Sequence, residues 1–153
     1  MIELDIMGVR VEVPSNAPML LLKESGGQRY LPIWIGAAEA SAIVNALEGI
    51  VPERPMTHDL MADLLSQLGH VNLEGRITTV NDGTFYAELW VDGHAISARP
   101  SDVAALALRS GFKLTCPSEL LDQVGVELSE PAEDEVEKFR EFLDHISPDD
   151  FEN

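Results

Sequence analysis

Apolar and polar positions alternate from the start of the chain, with Ile2, Leu4 and Ile6 on one parity and Val9, Val11 and Val13 on the other. Gly8 stands where the parity changes, which predicts a strand with a bulge or tight bend at the glycine. "MLLLKESGGQRYLPIWIG" then sets two apolar runs around Ser25-Gly26-Gly27 and predicts a hairpin. In "AAEASAIVNALEG" the pattern changes to helix formers bounded by Gly36 and Gly49, with Glu39 in the first turn. After the loop "IVPERPM", Thr57 is placed to cap a second helix, with Leu60, Leu64, Leu65 and Leu68 as one apolar face and Gly69 as its end.

The period of two returns over residues 71–80, 84–91 and 94–98, joined by the turn sequences Asn81-Asp82-Gly83 and Asp92-Gly93. A helix follows from "RPSD" to Gly111, then a short strand in "FKLTC" and a short helix in "PSELLDQVG" with Ser118 as its cap. This order predicts an α+β fold, a mixed and largely antiparallel sheet with packed helices. Beyond Ser129 the composition shifts: acidic residues crowd a first turn, and Val136, Phe139, Leu143 and Ile146 fall at helical spacing. Residues 1–128 therefore read as the domain, and 129–153 as an acidic amphipathic helix and tail that docks on its own domain, on a second subunit or on a partner.

With 153 residues, 45% of them hydrophobic and 24% charged, the chain has the usage of one globular domain with an appendage. No apolar run reaches the roughly 18 residues a membrane span needs, and the start lacks the basic and small-residue marks of a signal peptide. A cytoplasmic protein without membrane attachment is expected. Cys116 is the single cysteine, so neither an internal disulfide nor a cysteine-rich zinc site can form.

The formal charge is −17, of which residues 129–153 carry −8 (10 acids against 2 bases) and residues 1–128 carry −9 (17 against 8). Such a body does not track duplex phosphates, although a cleft can still hold one phosphate locally.

Two segments share a plan. "RPMTHDL" at 54–60 and "RPSDV" at 99–103 each run Arg-Pro, a hydroxyl residue, then an Asp in the first turn of a helix. A helix N-terminus can hold an anion, and Arg54 or Arg99 could complete the grip. Asp59 and Asp102 would compete for that positive end. They point either to internal Arg–Asp pairs, with Thr57 and Ser101 as ordinary caps, or to a divalent cation, Mg2+ or Mn2+, bridging carboxylate to phosphate. Glu39, Asp59 and Asp102 are the candidate metal ligands. Glu88 is a further carboxylate that alternation places either toward solvent or toward a cleft. His58, next to Asp59, is either a general base or an ordinary first-turn residue, while His70, His94 and His145 have no ligand-spaced neighbour.

Together "LPIWIGAAEASAI", "RPMTHDLMADLL" and "ISARPSDVAALALR" resemble the bifunctional nuclease domain family, whose members act on DNA and RNA, over roughly residues 2 to 127. The resemblance implies an α+β domain that forms a homo-oligomer, with a dimer as the first expectation. It implies hallmark positions at Gly36, Glu39, Arg54, Pro55, Thr57, His58, Asp59, Arg99, Pro100, Ser101 and Asp102. Where the family usually has an Asp just before "ARPSD", this chain has Ser97. Plant and some bacterial relatives add a helical module after the domain; here only the acidic helix follows.

Two functions are thus in view. One is a metal-assisted phosphodiesterase on single-stranded or flexible nucleic acid, with His58, Asp59, Arg99 and Asp102 catalytic, and with Arg54, Thr57 and Ser101 binding substrate. The other is a non-catalytic interaction domain whose acidic helix recruits a protein partner.

Overall fold

The computed structural model describes residues 1–12 and 15–127, so the acidic helix expected over 129–153 lies outside the described residues. In chain order the elements are β1 (Ile2–Glu12), β2 (Ala17–Glu24), β3 (Arg29–Trp34), α1 (Ala37–Leu47), α2 (Thr57–Gln67) and β4 (Leu73–Asn81). There follow β5 (Thr84–Val91), β6 (His94–Ala98), α3 (Pro100–Ser110), β7 (Lys113–Cys116), α4 (Ser118–Val124) and β8 (Val126–Glu127). Among the described residues the strands make one 8-stranded sheet, in the order β6-β5-β4-β7-β1-β2-β3-β8. All neighbours are antiparallel except β4 and β7, which run parallel because α3 crosses between them. The fold is α+β. No helix among the described residues is long and apolar enough to cross a membrane.

The parity change in β1 has its cause in the pairing register. Opposite β2 the register slips between Ile6 and Gly8, where Gly8 takes φ 142°, and this bulge lets both Ile6 and Val9 pack against the core. Asp82-Gly83 and Asp92-Gly93 adopt positive φ at both residues of each turn, the backbone that two-residue hairpins require.

Helix α3 is the centre of the helical layer, packed against the sheet on one side and against α1 and α2 on the other. Val103, Ala104, Ala105, Leu106 and Ala107 are all buried, and the small alanines let the neighbouring helices come close. On the sheet side, Gly75 of β4 faces α3 so closely that a Cβ there would lie 2.4 Å from Val103 Cγ1.

The expected helix caps need correction. Thr57 does not cap α2: Met56 is the N-cap residue, and Asp59 reaches back to accept a hydrogen bond from the Met56 amide at 3.0 Å. Likewise Ser118 and Ser101 lie inside their helices, capped by Pro117 and Arg99 positions. The leucine face of α2 does not face the core, since Leu60, Leu64 and Leu68 are 60%, 55% and 64% exposed while Leu65 and Ala62 turn inward. The rotation is set by His58 and Asp59, which turn toward polar partners on α3 and carry the leucines outward. The two-residue strand β8 was not anticipated, being too short to show any period.

Candidate active site

The first turns of α1, α2 and α3 open onto one cleft of about 350 Å³. Glu39 comes from α1, His58 and Asp59 from α2, and Arg99 and Asp102 from the start of α3. Each sits within a turn of a helix N-terminus, where the partial positive charge favours the carboxylates.

Four of these side chains form a continuous relay. Arg99 Nη2 lies 2.8 Å from Glu39 Oε1, and Arg99 Nε donates to Asp102 Oδ2 at 2.8 Å. The other Asp102 oxygen is 2.8 Å from His58 Nε2. Burial, the largest influence on Asp102, pushes its carboxyl upward, but the hydrogen bonds from His58 and Arg99 together outweigh it and hold Asp102 below the usual carboxylate range. An ionised carboxylate only accepts, so His58 Nε2 is the donor in this contact. Glu39 is also held low, by its own backbone amide and then by Arg99.

Asp59 belongs to a second network. Arg109, from the last turn of α3, donates Nε to Asp59 Oδ1 at 2.7 Å, Nη1 to the Ala105 carbonyl at 2.8 Å and Nη2 to the Ala42 carbonyl at 3.1 Å. One guanidinium thereby ties α1, α2 and α3 together on one wall of the cleft. Arg109, then the Met56 amide, holds the Asp59 carboxyl below its ordinary range. The sequence patterns did not single out Arg109, although it stands seven positions after Asp102 and so on the same helical face.

The remaining expected residues separate. Thr57 lines the cleft, whereas Arg54 is exposed on the loop ahead of α2 and is not part of its lining. Ser101 is buried and lines a neighbouring cavity that shares Arg99 with the cleft. Glu88 pairs opposite Arg76 and Ser97, on the sheet face turned away from α3, so neither Glu88 nor Ser97 reaches the cleft. The Asp-to-Ser departure at Ser97 therefore removes no carboxylate from it.

Among the described residues, no three His, Cys, Asp or Glu side chains form a ready metal cage. Glu39 and Asp102 nonetheless suit a hard divalent cation: they are oxygen donors close enough for one guanidinium to bridge, and Mg2+ commonly takes one or two carboxylates plus phosphate oxygens. Asp59 and Asp102 alike have both oxygens engaged, Asp59 by Arg109 and the Met56 amide and Asp102 by His58 and Arg99, so a cation at either would take the place of one of these partners; Asp59 differs in being held away from Glu39 by its bond to Arg109.

The sequence profile of the bifunctional nuclease domain matches residues 20–129 of this chain. Two proteins of Mycobacterium tuberculosis, one from each of two strains and both named only as uncharacterized proteins, are 51% identical over 159 aligned residues, covering 97% of this chain and 97% of each relative.

Proposed function

Since this chain belongs to the bifunctional nuclease domain family, we propose that it hydrolyses phosphodiesters of single-stranded DNA and RNA in the cleft between α1, α2 and α3. The observation that carries this reading is the 2.8 Å contact between His58 and Asp102, which turns Nε2 to the carboxylate and leaves Nδ1 as the ring nitrogen for proton transfer in the neutral imidazole. His58 Nδ1 accepts a proton from water as the water oxygen bonds to phosphorus, and the P–O bond to the leaving group breaks. The imidazolium, stabilised by Asp102, then returns the proton to the leaving oxygen. Arg99 offers its remaining N–H groups to the phosphate, and exposed Arg54 receives a flanking one.

The cleft sets three carboxylates, Glu39, Asp59 and Asp102, against two guanidiniums, Arg99 and Arg109, which is an unfavourable setting for a bare phosphate. A Mg2+ or Mn2+ ion held by Glu39 and Asp102 would supply the missing positive charge and polarise the phosphoryl oxygen. Thr57 and Ser101 border the path of the strand on either side. We assign self-association to the outward ridge of Leu60, Leu64 and Leu68 on α2, apolar side chains left more than half exposed. We place the protein in the cytoplasm, where buried Cys116 stays reduced.

A second reading, a non-catalytic interaction domain, is favoured by one observation: Arg99 and Arg109 are already neutralised by carboxylates, as in a structural ion-pair network. Purified protein on fluorescent single-stranded RNA and DNA, with Mg2+, Mn2+ or EDTA, separates the two. Cleavage that needs the metal and falls about a hundredfold or more in folded His58→Ala, Arg99→Ala and Asp102→Ala supports the nuclease. No cleavage, or cleavage unchanged by these substitutions, overturns it.

A further inference from the structure

Beside the cleft, on the other side of Arg99, lies a second cavity of about 400 Å³. Its walls include Trp34, Gly36 and Phe85, with Ser101 at the start of α3, and its charged member is Arg99, which also lines the cleft. Trp34, the last residue of β3, is 55% exposed, an unusual cost for the largest apolar side chain next to a cavity. Ser101 is only 5% exposed, yet its hydroxyl has no hydrogen-bond partner and is not sealed from the cavity it lines. A hydroxyl that opens on a cavity without a protein partner is a position that a ligand atom can satisfy.

We infer that this cavity is a base subsite: it takes one unpaired nucleobase of the substrate, stacked on Trp34 and hydrogen-bonded to the Ser101 hydroxyl, while the adjoining phosphate lies at Arg99. The inference rests on the nuclease reading and specifies what part of the substrate that site recognises. The chemistry fits a base better than a sugar or a peptide. A flat exposed indole matches a flat ring, a hydroxyl can donate or accept and so tolerates every base, and the single charge sits at the rim where a phosphate must pass. Its volume falls within the range of small-ligand cavities. The geometry also selects for single strands, because a base inside a duplex is stacked on both sides and cannot turn into a side cavity.

The test compares the affinity of the full chain, with Ca2+ in place of Mg2+ or Mn2+, for a fluorescent hexathymidylate and for an abasic strand of the same length and charge. The wild type is expected to prefer the base-bearing strand by about tenfold or more, the range in which one aromatic–base stack operates. Trp34→Ala should lose the preference while binding the abasic strand as before, and Trp34→Phe should keep it. Tyr86→Ala, which removes an equally exposed aromatic outside both cavities, should change nothing. Equal binding of the two strands by the wild type, or a preference that survives Trp34→Ala, overturns the inference. So does a Trp34→Ala variant that shifts the oligomeric mass with its base preference intact, which assigns the indole to a subunit interface. Cleavage of both strands with Mg2+ or Mn2+ is measured in parallel. Cutting without base preference removes the subsite alone, preference without cutting removes the nuclease reading alone, and neither binding nor cutting removes both.

Discussion

Replacing Arg109 with Ala tests whether one side chain holds the three helices in register. The substitution deletes the 2.7 Å bond to Asp59 and the bonds to the Ala105 and Ala42 carbonyls, and it leaves Asp59 with the Met56 amide. A hydrogen bond to a charged group contributes about 1.5–3 kcal/mol. The Asp59 side chain keeps 25% exposure, so water recovers part of that, and about 2 kcal/mol is the discounted loss. The Arg109 side chain is itself only 13% exposed, and removing its packed stem adds about 1 kcal/mol. For a domain of this size, about 3 kcal/mol corresponds to a Tm lower by roughly 6–12 °C. Circular-dichroism melts of wild type, Arg109→Ala, Asp59→Asn and the double variant measure both the loss and the coupling. A fall of less than about 2 °C for Arg109→Ala, or additive effects in the double variant, would refute the reasoning, because contacting partners must couple.

Other outcomes follow from the same contacts. Asp59, Asp102, Glu39 and Glu24 all have carboxyls held below their ordinary range, so the stability they contribute is present above about pH 4 and is lost as the pH falls through their lowered values. Melts should be flat from about pH 7 to 5 and fall steeply below about 4, with a shallower fall in Asp59→Asn; a decline beginning near neutrality would contradict this. A Cβ at Gly36 would lie 2.3 Å from Glu39 Oε2, the flexible end of that side chain. Gly36→Ala should therefore leave Tm nearly unchanged while displacing Glu39 from Arg99 and lowering kcat/KM about tenfold or more, read by paired melts and cleavage assays. Cys116 is fully buried, and burial pushes its thiol up to about 11, so iodoacetamide at pH 8 should label it only at the rate of unfolding, as followed by mass spectrometry.

Much of the frame was legible because its signals are local. Period-two alternation marked β1, β4 and β5, Asp-Gly marked both hairpins, and a parity change marked the bulge at Gly8. Arg99 with Asp102 was equally legible, since three positions on one helix bring side chains together. His58 with Asp102 was not, because 44 residues separate them and only the packing of α2 on α3 joins them. The two Arg-Pro segments share a plan in sequence, yet successive residues on a helix diverge by about 100°. His58 consequently meets Asp102 while Asp59 turns to Arg109, and the two halves do different work. The leucines of α2 marked a helix face but not its direction: an apolar stripe shows that a face is to be covered without showing by what.

The position of Arg109 also bears on the order in which the cleft assembles. Its bonds reach back 50 residues to Asp59 and 67 to Ala42, so the wall they build closes only after α1, α2 and α3 have all been synthesised and packed. Hairpins of the sheet, made of neighbouring segments, can form earlier. A nascent chain still on the ribosome then carries sheet without an assembled cleft. Long sequence separation, a burden on folding speed, here delays the assembly of the cleft until the whole helical layer is in place.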